Sequence, residues 1–214
     1  MTTTAIAYHE ATLEQARRLG TSTLHEASGI PTTSVDPAIR TVWPGASLAG
    51  AAYPVQCAPG DNLAIHITME RVPRGSVLIV SADGFVAGYW GEVLTVAAEA
   101  AGVAGLVIDG GVRDIAALRA RKFPVFARGI SVRGTLKDSA PSVGQRLCFA
   151  GTPVAAGDLV VADDDGVIVI PAANVEASLS NGQARADKEA KMMSQLSDGR
   201  TTLDLLGLSK WRQR

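Results

Sequence analysis

Apolar positions recur at two different spacings along this chain, and each spacing predicts a different element. Leu13, Ala16 and Leu19 recur at helical spacing, which predicts a first helix over 8–20. A second short helix is expected at 21–28, capped by Thr21 or Ser22. A Pro- and Thr-rich loop follows at 29–46, and a strand at 47–56. "PGDN" (59–62) reads as a turn opening a helix that runs to about 71, and "PRGS" (73–76) as another turn. VLIVSAD (77–83) is expected as a short buried strand.

A helix over 91–101, a strand over 105–109, a helix over 114–121 and a strand over 123–130 come next. Residues 144–171 are β-rich, and "ADDDG" (162–166) suits a hairpin turn between two apolar strands. From about 172 the pattern returns to helix. Strands alternating with helices imply a partly parallel sheet, and the later run of strands implies antiparallel pairing. The expectation is an α/β fold with a mixed sheet, in a single domain over 1–214 with a C-terminal helical extension at about 172–214. No repeat or low-complexity linker divides it. The polar stretch "ARADKEAKMMSQLSDGR" has a weak apolar face, which leaves it either packed on a neighbouring subunit or solvated.

One segment stands out. Between Glu92 and Arg113 only Glu99 and Asp109 are charged. A helix over 92–101 advances roughly 15 Å. A strand over 105–109 returns roughly 16 Å. The lengths match, with Gly102 as the helix stop, so Glu92 is expected beside Arg113 and Asp114 on one rim. At that helix start the amides of Val93 and Leu94 have no intrahelical acceptors and favour a carboxylate or phosphate. Gly88 and Gly91 leave room for close approach. Arg113 offers a planar fork for a carboxylate. Glu92 and Asp114 offer hard oxygen ligands for Mg²⁺ or Mn²⁺. The same residues also suit a plain reading, a first-turn acid and a surface ion pair.

Composition removes other classes. The net charge of -1 gives no case for nucleic acid or an anionic membrane. No run approaches the roughly 18 apolar residues of a membrane span. The N-terminus does not read as a signal peptide, and Cys57 and Cys148 read as free thiols; a cytoplasmic protein is expected. His9, His25 and His66 are scattered and read as structural. Nucleophile-elbow, P-loop and GxGxxG motifs are absent, which argues against a dinucleotide cofactor or a methyltransferase. Asp163, Asp164 and Asp165 read as hairpin turn rather than cation site.

"GYWGE", twenty residues, then "RD" resembles the signature of the RraA-like family, and within it the 4-hydroxy-4-methyl-2-oxoglutarate / 4-carboxy-4-hydroxy-2-oxoadipate aldolase branch. Similar stretches are DPAIRTVWPGASLAGAAYPVQCAPGDNLAIH (36–66), FPVFARGISVRGTLKD (123–138) and GDLVVADDDGVIVIP (157–171). The resemblance implies an α/β/β/α layered domain, swivelling β/β/α-like, assembled as a trimer or a pair of trimers. It implies a divalent-metal-dependent aldolase that releases pyruvate from a 4-hydroxy-2-oxo diacid and also decarboxylates oxaloacetate. Carried over by position, Asp114 matches the direct metal ligand. Glu92, where many members have Asp, matches an acid holding metal-bound water. Arg113 matches the substrate-binding residue, and Gly91, Val93 and Leu94 match the carboxylate loop. Glu189 matches an acid contributed by a neighbouring subunit's C-terminal helix, with Glu176 and Asp187 as the other candidates on that helix. Tyr89 and Trp90 either line the pocket or fill the core. The founding branch of the family inhibits a ribonuclease through protein contacts, which is the alternative, non-catalytic function.

Overall fold

The computed structural model describes residues 8–27, 29, 33–139 and 142–212. The end of the second expected helix at 28 and positions 30–32 of the expected loop lie outside the described residues, as do 1–7, 140–141 and 213–214.

In chain order the elements begin with α1 (Glu10–Ala27), β1 (Thr33–Ser34), β2 (Arg40–Thr41), β3 (Leu48–Gln56), α2 (Leu63–Thr68) and β4 (Ser76–Ser81). They continue with α3 (Glu92–Ala101), β5 (Gly105–Val112), α4 (Ile115–Arg121), β6 (Val125–Ile130) and β7 (Ser142–Val143). The chain ends with β8 (Leu147–Phe149), β9 (Thr152–Val154), β10 (Leu159–Asp163), β11 (Gly166–Ile170), α5 (Val175–Ser197) and α6 (Thr202–Leu205). The main sheet runs β1-β11-β10-β3-β4-β5-β6-β2, with β7 on β3; β8 and β9 form a separate hairpin. Pairing is parallel from β3 through β6 and antiparallel elsewhere. The expected mixed sheet is therefore found.

Period-2 alternation divides the strands between three apolar cores. Val77 and Ile79 of β4, Val107 of β5, Phe126 of β6, Val160 of β10 and Val169 of β11 point into a shared central core, closed by Phe149 and Val154 of the small hairpin. The alternate residues Leu78, Val80, Leu106, Ile108 and Val125 face α2, α3 and α4. Leu159, Val161, Ile168 and Ile170 face α1 and α5. The order helix, sheet, sheet, helix is the expected α/β/β/α layering. Strands buried on both faces read as near-continuous apolar runs, which is why they were visible in the sequence.

Several boundaries differ from expectation. The 29–46 region carries the two short strands β1 and β2, because each finds an edge to pair with, β11 and β6. The helix after "PGDN" ends at Thr68. β5 extends through Gly110 and Gly111 to Val112, because β6 follows it past a register shift. The C-terminal region is not one helix, since α5 stops at Ser197. No helix among the described residues is long and apolar enough to cross a membrane.

The two expected N-terminal helices run on as α1, broken at Gly20, whose φ of 76° and ψ of 167° are not helical. A side chain is disfavoured at that φ. The second half is capped from a distance: Asp163 accepts from the Thr21 backbone N–H (2.8 Å) and from its hydroxyl (2.6 Å). The other hairpin acids also bind structure, Asp164 the Gly45 amide and Asp165 the Ser22 hydroxyl. Asp163→Ala is expected to lower unfolding free energy by about 1–2 kcal/mol, as loss of a cap does, with the fold retained. Urea titration of both proteins measures it; an unchanged midpoint would rule out the capping role.

Candidate active site

The rim expected where α3 starts and β5 ends is present, although β5 runs to Val112, beyond the 105–109 of the length match. Trp90 bridges in parallel to Val112, and the Arg113 N–H donates to the Trp90 carbonyl (2.8 Å). The residue before α3 is Gly91, which has no side chain to cap the helix. Asp114 supplies the missing acceptor, its Oδ2 taking the Glu92 N–H at 3.0 Å. Only glycine permits this approach: a Cβ at Gly91 would lie 2.3 Å from that same Oδ2. Asp114 itself has a φ of 60°, a left-handed conformation that Asp adopts more readily than most residues. Its carbonyl accepts from the Ala117 and Leu118 amides of α4.

Above this rim lies a pocket of about 320 Å³. Gly91, Val93, Leu94, Arg113 and Asp114 all line it, so five of the expected site residues come together. The Val93 and Leu94 amides, in the first turn of α3, point away from the helix with no intrahelical acceptor. The Arg113 Nε lies 3.9 Å from Asp114 Oδ2, too far for a hydrogen bond, and its side chain is half exposed. Its fork is open to a ligand.

Two expected residues are placed differently. The Glu92 carboxylate is turned to Arg121 of α4 (3.1 Å), which also holds Glu99 of α3 (3.0 Å), so Glu92 brings its amide rather than its carboxylate toward Asp114. Glu189 lies on α5, on the opposite helical layer, ion-paired with Arg185 (2.8 Å), which also pairs with Glu26. Within one chain it does not reach the rim. Glu176 and Asp187 line a larger groove of about 840 Å³ between α1 and α5. Among the described residues no group of three or more His, Cys, Asp or Glu side chains is gathered as a metal cluster.

The pocket also holds Asn62 and Lys137, which spacing did not single out, and His66, which reads in the sequence as structural. Asn62 is buried; its Nδ2 donates to the Tyr89 carbonyl (2.9 Å) and its Oδ1 has no partner. Burial, and then the charge of Lys137, push the His66 imidazole below its ordinary pKa. Lys137 makes no ion pair within 4 Å among the described residues. These residues lie in stretches distant in sequence from "GYWGE", and only the fold brings them to it. Tyr89 lines the pocket while Trp90 is core, stacked on Phe123 and donating to the Thr95 hydroxyl (2.8 Å).

The family description "RraA-like: Aldolase/RraA" matches residues 21–169. The chain belongs to the RraA-like family. A protein of Halalkalibacterium halodurans that carries the provisional name 4-hydroxy-4-methyl-2-oxoglutarate aldolase is 33% identical over 182 residues, 84% of this chain and 86% of its own. Among solved structures, an uncharacterized protein of Pseudomonas syringae pv. tomato superposes with a TM-score of 0.82 at 29% identity, covering 94% of this chain and 95% of the other. The RNA-processing inhibitor RraA from Thermus thermophilis superposes with a TM-score of 0.64 at 25% identity, covering 71% and 92%. This RraA-like fold places the α3 start and the β5 end at one pocket.

Gly91→Ala is expected to displace the Asp114 carboxylate and to cost about 1–3 kcal/mol, as overpacking does. In an Asp114→Ala background the same change should cost less, because the obstructing oxygen is gone. A double-mutant cycle in urea tests the contact. Equal costs in the two backgrounds would show that Asp114 is not what Gly91 accommodates.

Proposed function

We propose that this chain is a divalent-metal-dependent class II pyruvate aldolase that cleaves a 4-hydroxy-2-oxo diacid to pyruvate and a second oxo acid, and that it decarboxylates oxaloacetate. The observation that carries the reading is the meeting, in one pocket, of two unpaired helix-start amides, an open guanidinium and a half-exposed carboxylate. The Val93 and Leu94 amides suit the C1 carboxylate of the substrate. Arg113 faces the 2-oxo group from the side and stabilises the enolate oxygen on which charge gathers as the C3–C4 bond breaks. Lys137, with no carboxylate within 4 Å among the described residues, suits the second carboxylate of a diacid.

The donor set of one chain fits a hydrated cation such as Mg²⁺ or Mn²⁺ and not an all-protein cage. Asp114 would hold it directly, and Glu92 through water. For that the Glu92 carboxylate must leave Arg121, a half-exposed pair worth only about 0–1 kcal/mol. The partner subunit's Glu189 completes the acidic set in this reading, in a trimer or pair of trimers. Exposed apolar side chains near the pocket, Val93, Ile130, Val132 and Leu136, suit burial against such a neighbour. When bound, the cation supplies Lewis-acid polarisation of the 2-oxo group. Decarboxylation of oxaloacetate needs the same enolate stabilisation and no base for a 4-hydroxyl, so it is the less demanding activity.

The same exposed apolar residues favour a second reading, a non-catalytic protein-binding regulator of the kind that the name of the Thermus relative describes.

The deciding assay is pyruvate release from oxaloacetate with Mg²⁺ or Mn²⁺, then with excess EDTA, against protein-free controls. Turnover above control that EDTA removes is expected. Its absence from folded, metal-supplied protein would overturn the lyase reading and favour the regulator. Asp114→Ala should abolish the activity. Arg113→Lys should raise KM and lower kcat, with kcat/KM down by at least about tenfold, because a point charge does not reproduce the fork. Wild-type constants in both variants would sink the site assignment.

A further inference from the structure

Residues 131–139 cross the mouth of the pocket as a strap, and apolar burial does not hold it there: Val132 is 92% exposed and Leu136 70%. Backbone hydrogen bonds fix its first half. The Ser131 N–H donates to the Val112 carbonyl (2.9 Å), the Gly88 N–H to the Arg133 carbonyl (2.7 Å), and the Arg133 guanidinium lies over the Phe85 ring. The second half is tied to the turn that opens α2. Leu136 N–H donates to the Gly60 carbonyl (2.8 Å) and Asn62 N–H to the Leu136 carbonyl (3.0 Å). Gly134 and Thr135 lie between these ties and Lys137 just beyond the second, and all three line the pocket.

One buried side chain completes the second tie. Asp61 is 5% exposed and uses both carboxylate oxygens. Oδ1 accepts from the Leu63 amide of its own turn (2.8 Å), and Oδ2 accepts from the Asp138 and Ser139 amides of the strap (2.5 and 3.1 Å). Burial raises the pKa of this carboxyl, but the three amides and the Ser139 side chain outweigh it and hold it below its ordinary range. The group is thus an ionised clamp at working pH.

We infer that Asp61 is a positioning residue, whose carboxylate latches the 131–139 strap and so holds Lys137 and Thr135 over the pocket for the distal end of an anionic substrate. The inference rests on the lyase reading for its kinetic consequence, and on the geometry alone for the latch. Asp61 does not line the pocket, so its removal acts on substrate capture rather than on bond breaking.

Asp61→Asn is close to isosteric but has one acceptor oxygen and presents an NH₂ group to backbone donors. It cannot serve both the turn and the strap. Amide hydrogen exchange over 131–139 is expected to quicken by at least about tenfold while β4 stays protected. KM for oxaloacetate should rise by about tenfold with kcat within about twofold. Lys137→Met should raise KM by a similar factor in wild type and by less than about twofold in the Asp61→Asn background, a coupling that a merely structural role would not produce. Should Asp61→Asn unfold, Ser139→Pro removes a strap donor and leaves Asp61 intact, and the same shifts are expected. Unchanged exchange in the strap overturns the latch. Quickened exchange with unchanged KM, or with additive Lys137 effects, overturns its role in capture. If wild type shows no turnover, the lyase reading falls and the exchange experiment alone decides the latch.

Discussion

Burial on both faces of the central strands is the constraint from which the rest of the structure follows. A strand whose odd residues face one core and even residues another must be covered twice. Here one side of each central strand is covered by the other half of the sheet, and the other side by helices. The chain meets this by folding the sheet over a shared core and setting α2, α3 and α4 against one outer face, α1 and α5 against the other. The parallel strands β4, β5 and β6 then deliver their C-terminal ends to a single edge. The helix starts and turns that make the pocket collect there.

The site is built by borrowing. α3 has no capping side chain of its own and takes one from Asp114, and that need fixes Asp114 beside the two amides left free. The strap has no apolar anchor of its own and takes a carboxylate from the turn before α2. In both cases an acid distant in sequence satisfies backbone donors that would otherwise be left unpaired, and such groups are costly to bury. The interactions that shape the pocket are thus mostly side chain to backbone, which ties its geometry to the fold rather than to exposed ion pairs.

What could be read in advance follows the same division. Strands covered on both faces announce themselves as apolar runs, and a strand returning beside α3 was enough to bring Glu92 to Arg113 and Asp114, although β5 runs on to Val112 and so past the length match. The direction of a side chain was not legible. Arg121 claims the Glu92 carboxylate because α4 packs beside α3, a tertiary fact without a sequence signature. His66, Asn62 and Lys137 reach the pocket through a turn and a strap whose path depends on Asp61, so their spacing along the chain carries no periodic signal. Glu189 was placed by resemblance alone, and one chain sets it on the far helical layer.

The distant cap on α1 has a consequence for how the chain is made. Thr21 and Asp163 are 142 residues apart, and β1 likewise pairs with β11. At about 5–20 residues per second on the ribosome, roughly 7–30 s separate the emergence of the two partners. Through that interval Leu19 and Leu24 have neither β10 nor α5 to cover them. The two halves of α1 therefore emerge well before the strands and helix that bury them, and they are among the last parts of the fold to acquire their surroundings.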